Sequence, residues 1–99
     1  MPYTMSITPD AREDIRYFKP YEQRIISQGI RTYLTHDAFV ESKHRKQLDE
    51  NPIAPWEVRV EHYRIFYKPD DEDPDSIVIV SVGHKEHNQL VIRGRKVQL

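Results

Sequence analysis

The sequence predicts an α+β fold, with two N-terminal helices packed on a mainly antiparallel sheet of four to five strands. Three observations predict it. Apolar residues recur at helical spacing through the first third of the chain, then switch to a period of two near residue 56. The helical segments come first and the strands follow, which suits a helical pair on one sheet face. The chain has 99 residues, enough for one core, so residues 1–99 are expected to form a single domain.

The elements follow in order. Tyr3 to Ile7 alternates in part and reads as a first strand. Thr8-Pro9-Asp10 starts a helix: a hydroxyl for the free N–H groups, a proline suited to the first turn, and an acid at the positive end. Ala11, Ile15 and Phe18 then share one helical face, and Lys19 before Pro20 disfavours continuing. A second helix is expected from Tyr21 to His36, with a core stripe of Tyr21, Ile25, Ile26, Ile30, Tyr33 and Leu34. Gly29 is expected to allow close packing against the first helix.

Asp37 to Pro55 is polar and reads as a connection, with a short helical piece near Ala38 to Glu41. Trp56, Val58 and Val60 alternate with Glu57, Arg59 and Glu61, as in a strand with one buried face. Tyr63 to Tyr67 is a second strand, so the chain must turn tightly near Glu61 and His62. Pro69 to Ser76 is an acidic loop, and Ile77 to Val82 is apolar throughout, like a central strand closed by Gly83. Leu90-Val91-Ile92 is expected to be a last edge strand, and Trp56, Tyr63, Phe66 and Tyr67 to lie in the core.

Composition narrows the function classes. With no cysteine there is no disulfide, no thiolate metal site and no cysteine nucleophile. The N-terminal segment lacks a basic region and an apolar run, and no stretch is long enough to span a bilayer, so a cytoplasmic location is expected. The net charge of −1 conceals asymmetry: Asp70, Asp71, Glu72, Asp73 and Asp75 crowd one loop, and the rest of the chain is net positive. Lys43, Arg45 and Lys46 form one basic cluster; Lys85, Arg93, Arg95 and Lys96 form another. Such clusters suit an anionic partner, although solvated surface explains charge runs equally well. His84 and His87 flank Glu86, but no further ligand lies nearby in sequence, so neither metal nor cofactor is expected. The acidic loop lacks the glycine and distal glutamate of a calcium loop.

An ordered set of segments then becomes informative. Lys46-Gln47-Leu48 precedes Trp56-Glu57-Val58-Arg59-Val60, followed by Tyr63-Arg64-Ile65-Phe66-Tyr67 and Val80-Ser81-Val82-Gly83-His84-Lys85. Together with the two-helix beginning, this resembles the RelE/ParE superfamily of toxins from type II toxin–antitoxin systems. The resemblance spans nearly the whole chain. It implies a toxin neutralised by a cognate antitoxin. In the RelE-like branch such proteins are mRNA interferases: metal-independent endoribonucleases that cut messenger RNA on the ribosome and inhibit translation. ParE-like members share the fold and poison DNA gyrase without catalysis.

The resemblance also places residues. Arg64 stands at the family's phosphate-binding arginine, a role its permanent charge and planar donor fork suit. Arg59 and Lys85 replace other basic groups of the RelE site, Glu57 stands where RelE has a strand lysine, and Val91 where many members have a tyrosine. Arginine is a poor base, so Arg59 does not inherit a lysine's proton transfer. Two readings follow. Either roles are redistributed, with Glu57 or Lys46 accepting a proton and His84 donating one, or the chemistry is weakened and the fold serves as an antitoxin-binding module. The catalytic set expected is Arg64, Lys85, His84, Arg59 and Glu57, and the RNA-binding set is Lys43, Arg45, Lys46, Arg93, Arg95 and Lys96. The plainer readings are a turn histidine for His84 and, for Arg64, a surface ion pair with Glu57 or Glu61.

Overall fold

The computed structural model describes residues 2–99. Its elements are β1 (Thr4–Ile7), α1 (Pro9–Arg16), α2 (Pro20–Leu34), β2 (Arg45–Gln47), β3 (Trp56–Val60), β4 (Tyr63–Pro69), β5 (Ser76–Glu86), β6 (Gln89–Ile92) and β7 (Arg95–Val97). Strands β2 to β7 run side by side in chain order, each antiparallel to the next, and β1 joins β5 in parallel. The α+β class and the helical pair on one sheet face are as the sequence predicts; seven strands replace the expected four to five.

The helix starts follow their sequence signals. Thr8 Oγ1 accepts the Ala11 N–H at 3.1 Å, and Pro9 occupies the first turn. Pro20 opens α2, with the Glu22 carboxylate accepting the Lys19 N–H at 3.2 Å. Ile26, Ile30 and Leu34 of α2 are buried against Val58, Val60, Tyr63 and Ile65 of the sheet, whereas Tyr21, expected on the same stripe, lies in the first turn of α2 and is exposed. Gly29 makes this approach possible, but against the sheet rather than the first helix. A β-carbon there would stand 2.5 Å from Val60 Cγ2.

Four other expectations are corrected. Ala38 to Glu41 forms a turn closed by Val40 N–H to Asp37 O at 3.0 Å, not a helical piece. The polar connection contains β2, three residues whose backbone pairs with β3 and whose side chains are largely exposed. Gly83 does not end its strand. It lies inside β5 because a β-carbon there would press on the Val91 carbonyl at 2.6 Å. Leu90-Val91-Ile92 is not the last edge strand: the basic tail beyond it forms β7, which depends on positive φ at Arg93 and Gly94 for its tight turn.

Strand β5 holds the sheet together by changing partners along one edge. That edge meets β1 over residues 76–79 and β6 over residues 84–86. Across the other edge the register with β4 shifts: Phe66 faces Ser81, Tyr67 faces Ile79, and Val80 is skipped. In the gap between β1 and β6, Asp14 of α1 takes the place of a neighbouring strand. Its Oδ2 accepts the Val82 N–H and the Ser81 hydroxyl, each at 3.0 Å. Its Oδ1 lies 2.8 Å from Arg93 Nε, whose N–H is not aimed at the oxygen, so that contact is ionic. Asp14 is 2% exposed.

Replacing Asp14 by alanine strands the buried Val82 N–H and leaves Arg93 without its counter-ion. The expected loss is about 2–4 kcal/mol, read as a lowered urea midpoint. A change within about 0.5 kcal/mol would contradict this role for the carboxylate.

Candidate functional site

The strand period of two sorts the expected site residues onto two faces. One face packs on the helices. The other carries Glu57 and Arg59 of β3, with Arg64 and Phe66 across from them on β4. Lys46 of β2 pairs with Glu57, and Lys85 of β5 pairs with Leu90, which belongs to the same open side. Arg95 of β7 pairs with Ile92 and shares that side. Gly83 lies opposite Arg64, so no side chain stands beside the guanidinium there.

Glu57 is 3% exposed, a carboxylate sunk beneath cations. Arg59 Nε donates to Glu57 Oε2 at 3.3 Å, while the Arg59 side chain keeps 46% of its surface in solvent. Arg64 is half-buried. Its Nη1 donates to the carbonyls of Glu61 and Tyr63, both at 2.9 Å, so backbone rather than an acidic side chain holds it. Its Nε is buried with no acceptor. Burial lowers the Arg64 pKa from its ordinary value, the Glu57 carboxylate opposes that, and Arg59 adds to the lowering. The guanidinium stays charged at neutral pH. An anchored cation, a second, half-exposed cation and a buried counter-ion together form a surface whose chemistry suits an oxyanion.

Beyond this face, apolar residues continue the open side. Phe66, Ala54 and Leu90 are buried, flanked by Leu48, Ile53, Val80, Ile92 and Val97. Phe66 is 0% exposed and therefore offers no ring for base stacking.

Other expected residues lie elsewhere. His84 pairs with Tyr63 and Val91 and points to the helix side, where Nε2 meets Glu86 at 3.1 Å and the ring meets Phe18. The sheet thus separates it from Arg64. Arg45 donates to Val40 O at 2.9 Å and Tyr33 O at 3.0 Å, so it ties the end of α2 to β2. Arg93 is held by Asp14. Lys96 faces the helix side opposite Val91, and Lys43 sits in an exposed loop. No group of three His, Asp or Glu among the described residues is arranged to hold a metal. The acidic loop lies at the far end of β4 and β5 from Arg64, its turns closed by Asp70 and Asp73 side chains. No helix among the described residues is long and apolar enough to cross a membrane.

Sequence reasoning missed Asp14. The available signal was an acid three residues after Ala11 and four before Phe18, on the buried stripe of the first helix. It also missed Glu22, which accepts the Tyr63 hydroxyl at 2.7 Å across from α2 to β4.

A helical pair on one side of a mostly antiparallel sheet, with clustered arginines on the other side, defines a small α+β protein with one cationic sheet face. A family model described as "ParE toxin of type II toxin-antitoxin system, parDE" matches residues 5–89. The chain belongs to that family and is a toxin of a type II toxin–antitoxin system. The crystal structure of the RelBE2 toxin–antitoxin complex from Mycobacterium tuberculosis is similar, with a TM-score of 0.69 and 26% identity. The match covers 86% of this chain and 100% of that one. The archaeal RelE–RelB complex from Pyrococcus horikoshii OT3 has a TM-score of 0.62 at 18% identity, covering 96% and 99%, and attests the fold. No curated protein matches the sequence.

The Tyr63 hydroxyl holds the Glu22 carboxyl below its ordinary pKa of 4.5. A depressed folded-state pKa gives stability that is present above pH 4.5 and lost as pH falls through the lowered value. Tyr63→Phe should therefore be less stable than the parent at pH 7, and the difference should shrink under acid. Parallel denaturant titrations at pH 7 and pH 3 check this; a pH-independent difference would refute it.

Proposed function

We propose that this toxin is a metal-independent endoribonuclease that acts on messenger RNA at the ribosome and is neutralised by a cognate antitoxin. The supporting observation is the Arg64 guanidinium, held through Nη1 by two backbone carbonyls beside the Glu57–Arg59 pair on the open sheet face. A phosphate arriving here meets a cation that backbone, rather than an acidic side chain, holds in place. Both similar structures are toxin–antitoxin complexes, which supports the antitoxin partner.

In this reading the RNA 2′-oxygen attacks the adjacent phosphorus and the 5′-oxygen of the next nucleotide leaves, giving a 2′,3′-cyclic phosphate and a free 5′-hydroxyl. Arg64 and Arg59 stabilise the charge that grows on the non-bridging oxygens. The phosphate draws Arg59 from Glu57, and the uncovered carboxylate accepts the 2′-hydroxyl proton. Lys85 supplies a proton to the leaving oxygen. Lys46 and Arg95 hold neighbouring phosphates. His84 has no part on this face.

A second reading also fits the family match: a ParE-like inhibitor of DNA gyrase, with the same cationic face used for docking. Induced expression in bacteria with pulse labelling separates the two. Arrest of protein synthesis, relieved by Arg64→Ala, is expected; arrest of DNA synthesis would favour gyrase. Loss of Arg64 should slow cleavage in a translation extract by about 10²–10³-fold. Glu57→Gln keeps shape and burial and should slow cleavage by about 10²-fold or more. Undiminished cleavage by Glu57→Gln would remove the carboxylate from proton transfer.

A further inference from the structure

The helix side of the sheet carries a groove of about 620 Å³ that the ribonuclease reading does not use. It lies between the α1–α2 turn, the β3–β4 turn and the β5–β6 and β6–β7 hairpins. Its volume falls in the range of small-ligand sites. One wall is a run of rings. Tyr17 meets Phe18 edge-on with centroids 5.9 Å apart, Phe18 meets His84 at 5.7 Å, and His84 meets His62 at 6.1 Å. Tyr17 is 55% exposed, a large aromatic left uncovered at the groove's rim.

Lys19 and Lys96 supply cations to the same groove, and His87 and Gln89 supply further donors. Its two carboxylates are already engaged. Glu22 accepts the Tyr63 hydroxyl and the Lys19 N–H, and Glu86 meets His84 Nε2. The groups left without a partner are therefore mostly donors and ring faces. Donors suit a phosphate, and exposed rings suit a base through stacking.

We propose that this groove binds a nucleoside monophosphate, with the base on the exposed Tyr17 ring and the phosphate held by Lys19 and Lys96. The site is separate from the Arg64 face, since the sheet lies between them. It gives the toxin a second nucleotide contact that persists when the Arg64 face is disabled.

The test is a ¹⁵N NMR titration of the full chain, parent and Arg64→Ala, with AMP, adenosine and inorganic phosphate as separate probes. Saturable shifts at Tyr17, His62, His87 and Lys96 are expected with AMP in both proteins. Adenosine and phosphate should each bind about tenfold or more weakly, since each keeps only one of the two contacts. Lys96→Ala, a substitution at an exposed strand position, should weaken AMP by a similar factor, and Tyr17→Ala by about tenfold where its thermal melt matches the parent's. AMP shifts that stay confined to the surroundings of Arg64 and vanish in Arg64→Ala would overturn the proposal. So would phosphate binding as tightly as AMP, or no saturable shift at all. Loss of toxicity in Arg64→Ala bears only on the ribonuclease reading, so the two fail separately.

Discussion

The molecule depends on how one long strand is completed. Strand β5 has β4 along one edge, but its other edge passes from β1 to β6 with a break between them. Unpaired backbone polar groups inside a protein are costly, so a break in a central strand must be filled. Asp14 fills it from above, and its charge in turn fixes Arg93 and the start of β7. The path to this contact is set earlier. The Thr8 N–H donates to Ile79 O at 3.0 Å, which lays the first turn of α1 directly over β5. A helix cap, a strand edge and a terminal hairpin are thereby tied through one buried carboxylate.

That arrangement lets the sheet work as a partition. Along β5, Val82 and His84 go to the helix side while Gly83 and Lys85 go to the other. A residue's neighbour in sequence is thus its opposite in space. The Gly83-His84-Lys85 segment reads as one functional unit in the sequence, yet the pleat divides it. Lys85 joins the arginines. His84 joins an aromatic groove, where its Nδ1 is buried without a partner and its Nε2 faces Glu86.

Much of this was legible because periodicity reports directly on burial. The alternation from Trp56 to Val60 and the aromatic run from Tyr63 to Tyr67 give both strands and the turn at Glu61, where φ is +54. Thr8-Pro9-Asp10 gives the helix start. What stayed hidden has no local pattern. Strand β2 is three residues at an edge, with polar side chains and only its backbone committed. Strand β7 is equally short and basic, and its turn rests on backbone angles at Arg93 and Gly94. The site was half legible for the same reason. Arg64, Arg59 and Glu57 are placed together by the pleat alone, whereas the fates of Arg45, Arg93 and His84 depend on partners from distant elements.

The replacement of a strand cation by Glu57 changes what the arginine face can be. A cation at that position would repel Arg59 and leave it reaching for solvent. A carboxylate there lets Arg59 fold back, and the arginine in turn makes burial of the carboxylate tolerable. The resting face is therefore a closed charge cluster rather than an open cationic patch. A bridging phosphate carries the same single charge as Glu57, but its two non-bridging oxygens can engage Arg59 and the Arg64 guanidinium together, so it competes with Glu57 for Arg59. Binding and unmasking of the carboxylate then become one event. In the proposed ribonuclease reading, coupling of that kind would hold the proton acceptor back until the phosphate is in place.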